Sequence, residues 1–168
     1  MDMDNIYDHH LKDYSLEKVK EFNRYLDIYY SFRNYKNTIS RIVYLTSVSG
    51  DLLGYFSIEG EGVNHQFDSG KANQLNIEIE DNYQGRGFTK LLIEIMIEKI
   101  YEDIPEMIER GDQMLFIDAD ASEGFWDRIG MIESQRYGYD RIPKYADREG
   151  AGYEKYITLH KLHKYSLS

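Results

Sequence analysis

The chain has 168 residues, of which 42% are hydrophobic, and this suffices for one domain with one core. It contains no cysteine, so disulfides, thiolate catalysis and cysteine-ligated zinc are excluded. The formal net charge of -10 at pH 7 argues against a broad basic face for nucleic acid, and no apolar run is long enough to span a membrane.

The acidic balance of the chain favours cationic partners. The first ten residues have neither a basic start nor an apolar stretch, which argues against a secretory signal. No repeat, low-complexity tract or linker-like composition divides the sequence. We therefore expect a single cytoplasmic domain over residues 1–168.

The N-terminal part of the chain predicts a helix followed by a β-hairpin. Ser15 can cap the helix, whose apolar stripe would consist of Leu16, Val19, Phe22, Leu26 and Tyr29. Residues 39–48 and 52–58 are rich in β-branched and aromatic side chains on either side of a turn, which is typical of two paired strands. Residues 59–72 contain three glycines and predict a loop.

The centre of the chain changes from a period of two to a helical period. Leu75, Ile77 and Ile79 alternate with polar residues, which predicts a strand over residues 75–80. Apolar side chains then recur along one face of a predicted helix, at Phe88, Leu91, Leu92, Ile95, Met96 and Ile100. Residues 81–87 lie between the strand and the helix as a polar loop that contains glycine.

The C-terminal part predicts short alternating elements. These are an apolar strand over residues 114–117, a helix over 122–129, and two final strands over 132–139 and 156–162. The complete order indicates a mixed α/β (α+β) chain with a largely antiparallel sheet and at least one parallel strand pair.

The loop before the central helix has the composition of an anion site. Gly85 and Gly87 lack side chains, so the backbone can close on an anion, and the helix that follows supplies unpaired N–H donors and a partial positive charge. Arg86 and Lys90 add positive charge, and Thr89 adds a hydroxyl group. The alternative is that the glycines serve only a tight turn. The loop lacks the Gly-Lys-Ser/Thr ending of a P-loop and the three-glycine dinucleotide fingerprint, which disfavours a nucleoside triphosphate or NAD.

Residues 84–89, QGRGFT, resemble the pyrophosphate motif of the GNAT superfamily of acyl-CoA-dependent N-acetyltransferases, Arg/Gln-x-x-Gly-x-Gly/Ala. Thr89 stands where that family prefers Gly or Ala. Residues 115–131 resemble the strand and helix that follow in the family, which commonly end in aromatic-x-x-x-Gly-Phe. The two motifs lie in the family's order, and the resemblance covers about residues 39–162.

This resemblance implies a GNAT-like fold, a mostly antiparallel twisted sheet flanked by helices. Acetyl-CoA would lie between two splayed parallel strands, here residues 75–80 and 114–119. The backbone of Ile77 and Ile79 would pair with the pantetheine arm, and the Ile79 N–H would polarise the thioester carbonyl. The residues that the resemblance assigns to acetyl-CoA binding are Ile77, Ile79, Gln84, Gly85, Arg86, Gly87, Phe88, Thr89, Ser122 and Trp126.

Acyl transfer to an amine requires the nucleophile to lose a proton, because an alkylammonium has a pKa near ~10.4. In many members of the family, a tyrosine four residues before the helix-ending glycine returns a proton to the departing thiolate. Counting back from Gly130 gives Trp126, whose indole is no general acid at neutral pH. Trp126 would instead pack against the pantetheine arm or the core. A thiol pKa near ~8.5 lets CoA leave with little help, and Tyr137 and Tyr139 are substitute acids.

The candidate bases are carboxylates on the two strands of the expected site. Glu78 and Glu80 share one face of the strand that presents the acyl group, and either could accept the amine proton; alternatively, they form a solvated face. Asp118 and Asp120 also share a strand face. They could bind a substrate ammonium or be ordinary carboxylates at the end of a strand.

The expected function is transfer of an acetyl group from acetyl-CoA to a primary amine by direct attack in a ternary complex. The acceptor would be an amine-bearing small molecule, protein or peptide, and a homodimer is implied by the resemblance alone. No metal is expected, since His160 and His163 would point to opposite faces of a strand. Trp126 keeps open a non-catalytic module of the same fold that binds acyl-CoA or a protein partner. A third hypothesis, a glycine-loop nucleotide binder, predicts ATP binding.

Overall fold

A computed structural model of the chain describes residues 15–35, 38–61, 73–109, 114–118, 129, 132–133 and 153–168. The strands are β1 (Ser15–Glu21), β2 (Leu26–Tyr35), β3 (Thr38–Ser47), β4 (Leu52–Glu61), β5 (Asn73–Ile79), β6 (Met114–Asp118), β7 (Ile132–Glu133) and β8 (Tyr153–Thr158). The described α-helices are α1 (Phe88–Asp103) and α2 (Leu159–Ser166). The strands form one eight-stranded sheet in the order β1-β2-β3-β4-β5-β6-β8-β7. The predicted fold class, a mixed α/β chain with a mostly antiparallel sheet, is confirmed.

The helix predicted from Leu16 to Tyr29 is wrong, because these residues form β1 and β2. The spacing of three residues that suggested a helix places Leu16 and Val19 on opposite faces of β1, and a bulge interrupts the ladder between Lys18 and Lys20. In β2, Leu26, Ile28 and Tyr30 enter the main core, while Asp27, Tyr29 and Ser31 are buried on the other face. A strand buried on both faces lacks the alternation that identifies strands in a sequence.

The predicted hairpin is confirmed as β3 and β4. Ser47 N–H donates to Asp51 O at 2.9 Å, and Gly50 takes a φ of 94° in the turn. Strand β4 continues to Glu61, three residues beyond the predicted end at Ile58, and its last residues pair with β5 as well as β3. Residues 62–72 of the predicted loop lie outside the described residues.

The predicted strand and helix at the centre are confirmed as β5 and α1. Helix α1 packs across one face of the sheet, where Val43, Phe56 and Ile58 meet the helix in the main core. The buried side chains of α1 extend beyond the predicted stripe to Ile93 and Ile97. The wider apolar face is explained by α2, which packs against the same helix.

The last strand ends earlier than predicted, so the strand over residues 156–162 is partly wrong. Strand β8 stops at Thr158, whose side chain accepts a hydrogen bond from Lys161 N–H and caps α2. Leu159 and Leu162 are buried one helical turn apart, a spacing that a helix aligns on one face. The predicted helix over 122–129 and most of the strand over 132–139 lie outside the described residues; Ile132 and Glu133 form β7.

Candidate functional site

The parallel strands β5 and β6 separate after a short contact. The described pairs between them are Asn73 with Leu115 and Gln74 with Phe116, and β5 then continues to Ile79 without a further pair. Along the rest of its length β6 pairs with β8 on its other side. The predicted splay of these two strands is therefore present, and among the described residues no strand pairs with the remainder of this edge of β5.

The β4–β5 ladder decides which backbone groups of β5 face this gap. Glu80 N–H donates to Leu53 O at 2.9 Å. Hydrogen-bonded and non-hydrogen-bonded pairs alternate along an antiparallel ladder. The backbone N–H and C=O of Glu78 therefore face β4, whereas those of Ile77 and Ile79 face the side of β6. The side chains of Ile77 and Ile79 pack against the main core. The gap is thus bordered by backbone N–H groups of β5, and the apolar side chains of Ile77 and Ile79 lie beneath it.

Gly54 holds β4 and β5 close together beside the end of β5. A Cβ at Gly54 would lie 2.9 Å from Glu78 O and 3.2 Å from Ile79 Cα, so any side chain would push the strands apart. The sequence analysis did not single out this residue. An isolated glycine within a strand was the available signal, since it often marks a close backbone approach.

The loop after β5 is fixed to the strand by Gln84. Its Nε2 donates to Ile79 O at 2.8 Å and to Asp81 Oδ1 at 3.2 Å, and its backbone N–H donates to Asp81 O at 3.3 Å. Residues Asp81–Tyr83 form a short 3-10 helix between these contacts. Both the amide side chain and the backbone N–H of Gln84 therefore close the loop rather than pointing away from it.

The two glycines of the loop adopt left-handed backbone conformations. Gly85 has a φ of 74° and Gly87 a φ of 84°, a region that residues with a side chain rarely adopt. A Cβ at either position would have no neighbour within 4 Å. The backbone conformation therefore favours glycine at both positions, and no described atom lies close enough to contact a Cβ there.

The first turn of α1 presents N–H groups that helix geometry leaves unbonded. The first helical bond runs from Leu91 N–H to Gly87 O at 3.2 Å, so the N–H groups of Phe88, Thr89 and Lys90 precede it. Gly87 provides no side-chain cap, and the first turn has no acidic residue. The backbone N–H groups and the helix dipole of this terminus are therefore able to bind an anion.

The cations predicted to assist the loop point in different directions. The Arg86 guanidinium lies 5.5 Å from the centre of the Tyr83 ring, beside the loop. Lys90 Nζ donates to Ser168 O at 3.1 Å and lies 5.2 Å from the centre of the Tyr165 ring, so it is directed toward α2. Arg86 is thus the cation nearest the loop by chain position and orientation.

The carboxylates named as bases lie on the sheet face opposite α1. Glu78 and Glu80 are exposed, and Glu78 is the cross-strand partner of Tyr55 on β4. The pKa of Tyr55 is raised by burial and further by the charges of Glu78 and Glu59. Tyr55 therefore keeps its proton at neutral pH and offers a hydroxyl donor beside Glu78.

Several predicted residues lie outside the part of the chain that the structure describes. They are Ser122, Trp126, Tyr137, Tyr139 and Asp120. Asp118 is the last residue of β6, where it pairs with Tyr153 of β8. His160 and His163 belong to α2 rather than to a strand; His160 Nε2 lies 3.0 Å from Ile108 O, and His163 stacks edge-on against Tyr101. None of the described helices has the length and apolar character that crossing a membrane requires.

No protein-family model matches the chain, and no curated protein matches its sequence. Among solved structures, a mutant form of the spermidine/spermine N-acetyltransferase SpeG from Vibrio cholerae matches with 16% identity and a TM-score of 0.39, covering 76% of this chain and 69% of that chain. A mutant of the toxin AtaT bound to the C-terminus of the antitoxin AtaR and acetyl-CoA matches with 13% identity and a TM-score of 0.43, covering 91% and 98%. The KacTA–DNA complex matches with 13% identity and a TM-score of 0.44, covering 90% and 96%. All three TM-scores lie below 0.5, and nothing about the activity, substrates or partners of this chain follows from these matches.

Proposed function

We propose that this chain is one acetyltransferase domain that moves an acetyl group from acetyl-CoA to a primary amine. One observation carries the proposal: a strand edge that no other described strand pairs with and a helix N-terminus without a side-chain cap meet at the same end of β5. The strand edge suits an extended chain with amide groups, and the helix terminus suits a pyrophosphate. Acetyl-CoA has both in one molecule. Residues 84–89, which join the two features, carry the motif that resembles the GNAT pyrophosphate loop.

In this proposal the pantetheine arm lies along β5 and bonds to the backbone of Ile77 and Ile79. The Ile79 carbonyl already accepts a bond from Gln84, so the Ile79 N–H is the group that polarises the thioester carbonyl. N–H groups from Gly85 to Thr89 bind the pyrophosphate. Gln84 acts by holding the loop closed, which differs from the contact with the pyrophosphate expected from the motif.

The amine nitrogen attacks the thioester carbonyl carbon, the C–S bond breaks, and CoA leaves as a thiolate. The ammonium proton must be removed before or during the attack, because an amine with its proton has no free electron pair. We propose Glu78 or Glu80 for this step, since they flank Ile79 on the exposed sheet face. Tyr137 and Tyr139 stay proposed acids for the thiolate. The acceptor is a small molecule or a protein or peptide that bears a primary amine.

The experiment that tests the proposal is release of free thiol from acetyl-CoA in the presence of a panel of primary amines. We expect turnover with at least one amine. E78Q and E80Q, assayed over a range of pH, identify the base: replacing the residue that accepts the proton should remove the low-pH limb of the rate profile. If both variants keep the profile of the unchanged chain, neither residue is the base.

A second function is favoured by Trp126, which occupies the position of the usual acid in the resembling motif. In this second function the chain is a non-catalytic domain that binds acyl-CoA as a sensor or binds a protein partner. Binding of acetyl-CoA in calorimetry without turnover on any amine of the panel would support this function over catalysis. A thermal shift with ATP but none with CoA would contradict both and favour a nucleotide binder.

A further inference from the structure

The turn between β1 and β2 places exposed aromatic side chains beside the loop of residues 84–89. Phe22 is 40% exposed and Tyr25 is 59% exposed, although large aromatic side chains are usually buried. The Phe22 ring meets the Phe88 ring edge-on, with 5.2 Å between their centres. Because Phe88 is the first residue of α1, this turn borders the helix terminus proposed to bind the pyrophosphate.

The turn is held in one conformation by its own hydrogen bonds. Asn23 Oδ1 accepts from Tyr25 N–H at 2.8 Å and from Leu26 N–H at 2.9 Å. Phe22 N–H donates to Leu26 O at 3.0 Å, and Tyr25 O accepts from Val48 N–H at 3.0 Å in the neighbouring turn. The exposed rings are therefore presented by a preorganised backbone, which reduces the entropy lost when a ligand binds.

Cations accompany these rings. The Arg24 guanidinium lies 4.7 Å from the centre of the Tyr25 ring, and Lys20 Nζ lies 5.9 Å from the centre of the Phe22 ring. Within the described residues, the ion pairs are formed by other cations, and Lys20, Arg24 and Arg86 form none. In a chain of net charge -10, two cations over exposed rings, Lys20 and Arg24, with Arg86 in the loop before α1, indicate a site for a ligand that is both aromatic and anionic.

We propose that the β1–β2 turn binds the adenosine 3′-phosphate end of CoA. This inference rests on the proposed function, because the pyrophosphate on α1 brings the adenosine to the neighbouring surface. The adenine ring stacks on the exposed face of Phe22 or Tyr25, and Lys20 and Arg24 bind the 3′-phosphate. The acidic residues nearest this turn in sequence are Glu21 and Asp27, and the Asp27 carboxylate forms an ion pair with Lys18. In the loop after β5, the Asp81 carboxylate accepts a hydrogen bond from Gln84.

The test compares CoA with 3′-dephospho-CoA in isothermal titration calorimetry on the full chain. We expect the unchanged chain to bind CoA about tenfold or more tightly than 3′-dephospho-CoA, since the 3′-phosphate forms charge-assisted contacts. K20Q and R24Q should reduce this ratio toward one and leave the affinity for 3′-dephospho-CoA unchanged. K161Q, which removes an exposed lysine from α2, is the matched control and should keep the ratio.

The stacking contact is tested with F22L and Y25L, which keep apolar volume but remove the aromatic face. At least one of these variants should lower the affinities for CoA and for 3′-dephospho-CoA by the same factor. Thermal unfolding should show that both variants are folded. Equal binding of CoA and 3′-dephospho-CoA by the unchanged chain, or an unchanged ratio in K20Q and R24Q, overturns the inference while the proposed function stands. Failure to bind either compound overturns both.

Discussion

Gly87 combines a conformational requirement with a place in the proposed pyrophosphate site. Its φ of 84° is tolerated best by glycine and next by Asn and Asp, and a Cβ there would meet no atom within 4 Å. Asn and Asp have nearly the same shape, so G87N and G87D carry the same backbone cost. They differ by one negative charge at a helix N-terminus, which makes the pair a direct test of the anion site.

We predict that G87D binds acetyl-CoA about tenfold or more weakly than G87N, because its carboxylate repels the pyrophosphate. We also predict that G87D is the more stable variant by about 0.3–1 kcal/mol, because an acidic group stabilises a helix N-terminus. Calorimetry and urea unfolding measure the two quantities. Equal affinities in two folded variants would exclude the pyrophosphate from this position.

The end of α1 is tied to the sheet by a buried arginine. Arg41 on β3 has a side chain only 1% exposed, and its Nη1 donates to Tyr30 Oη at 2.8 Å and to Asp103 Oδ2 at 2.5 Å. Its Nε and Nη2 have no hydrogen-bond partner within the part of the chain that the structure describes. The guanidinium also lies 4.8 Å from the centre of the Phe32 ring. Asp103 is the last residue of α1, so this contact joins the helix to β2 and β3.

Because Arg41 stays charged when its partner is lost, we predict that D103N lowers the free energy of unfolding by about 1–3 kcal/mol. The cost of breaking a fully buried pair, about 3–5 kcal/mol, is reduced here because Asp103 is 44% exposed. In the R41M background, which removes the buried charge, D103N should cost almost nothing. Urea unfolding of the four chains in a double-mutant cycle measures this coupling, and additive effects would contradict it.

The elements that could be predicted from the sequence are those whose pattern is local. The change from alternation to helical spacing identified β5, the glycine loop and α1, because each of these elements carries its own period. The β1–β2 hairpin escaped prediction because β2 is buried on both faces and β1 contains a bulge. Helix α2 escaped because it follows β8 directly at Thr158, without a glycine or proline to separate the two.

In the candidate site, too, features formed by contiguous residues could be predicted, whereas contacts between residues far apart in the chain could not. The loop and its cations are contiguous in the sequence, so their chemistry could be predicted. The role of Gly54 depends on how β4 pairs with β5, and the contact of Phe22 with Phe88 depends on where α1 crosses the sheet. An isolated glycine in a strand indicates that a close approach occurs, but a single sequence does not identify the distant residue that approaches it.

At the scale of the whole molecule, net charge is a poor guide to local binding. The composition favours cationic partners, and the exposed carboxylates of Glu78 on β5 and of Glu80 directly after it are of the sign that attracts an ammonium group. Lys20 and Arg24 lie over the rings of the β1–β2 turn, whose Phe22 contacts the first residue of α1, and Arg86 lies in the loop before α1. An acidic chain can therefore attract an amine and still bind a polyanionic co-substrate.

Buried tyrosines predict how the stability of the whole chain depends on pH. Burial raises the pKa values of Tyr30, Tyr55 and Tyr101 above the ordinary tyrosine value; for Tyr30, Arg41 lowers the pKa by a smaller amount. An unfolded tyrosine loses its proton near pH ~10. Above that pH, and below the raised pKa values, the unfolded chain binds fewer protons than the folded chain. The contribution of these raised pKa values to the free energy of unfolding is therefore complete below pH ~10, and it is lost as the pH rises through the raised values.

We predict that the urea midpoint is nearly constant from about pH 8 to pH 9.5 and falls above about pH 10. Y30F, which removes the most deeply buried of the three hydroxyls, should lower stability at every pH because Arg41 loses a hydrogen bond, but its alkaline decline should be shallower. Y25F is the control, since Tyr25 is 59% exposed and its removal should leave the decline unchanged. The dependence of the urea midpoint on pH separates the two effects of Y30F. Loss of the hydrogen bond lowers the midpoint at every pH, whereas loss of the ionisable hydroxyl changes only the decline above about pH 10. An alkaline limb in Y30F as steep as that of the unchanged chain would show that Tyr30 ionises at its ordinary pKa.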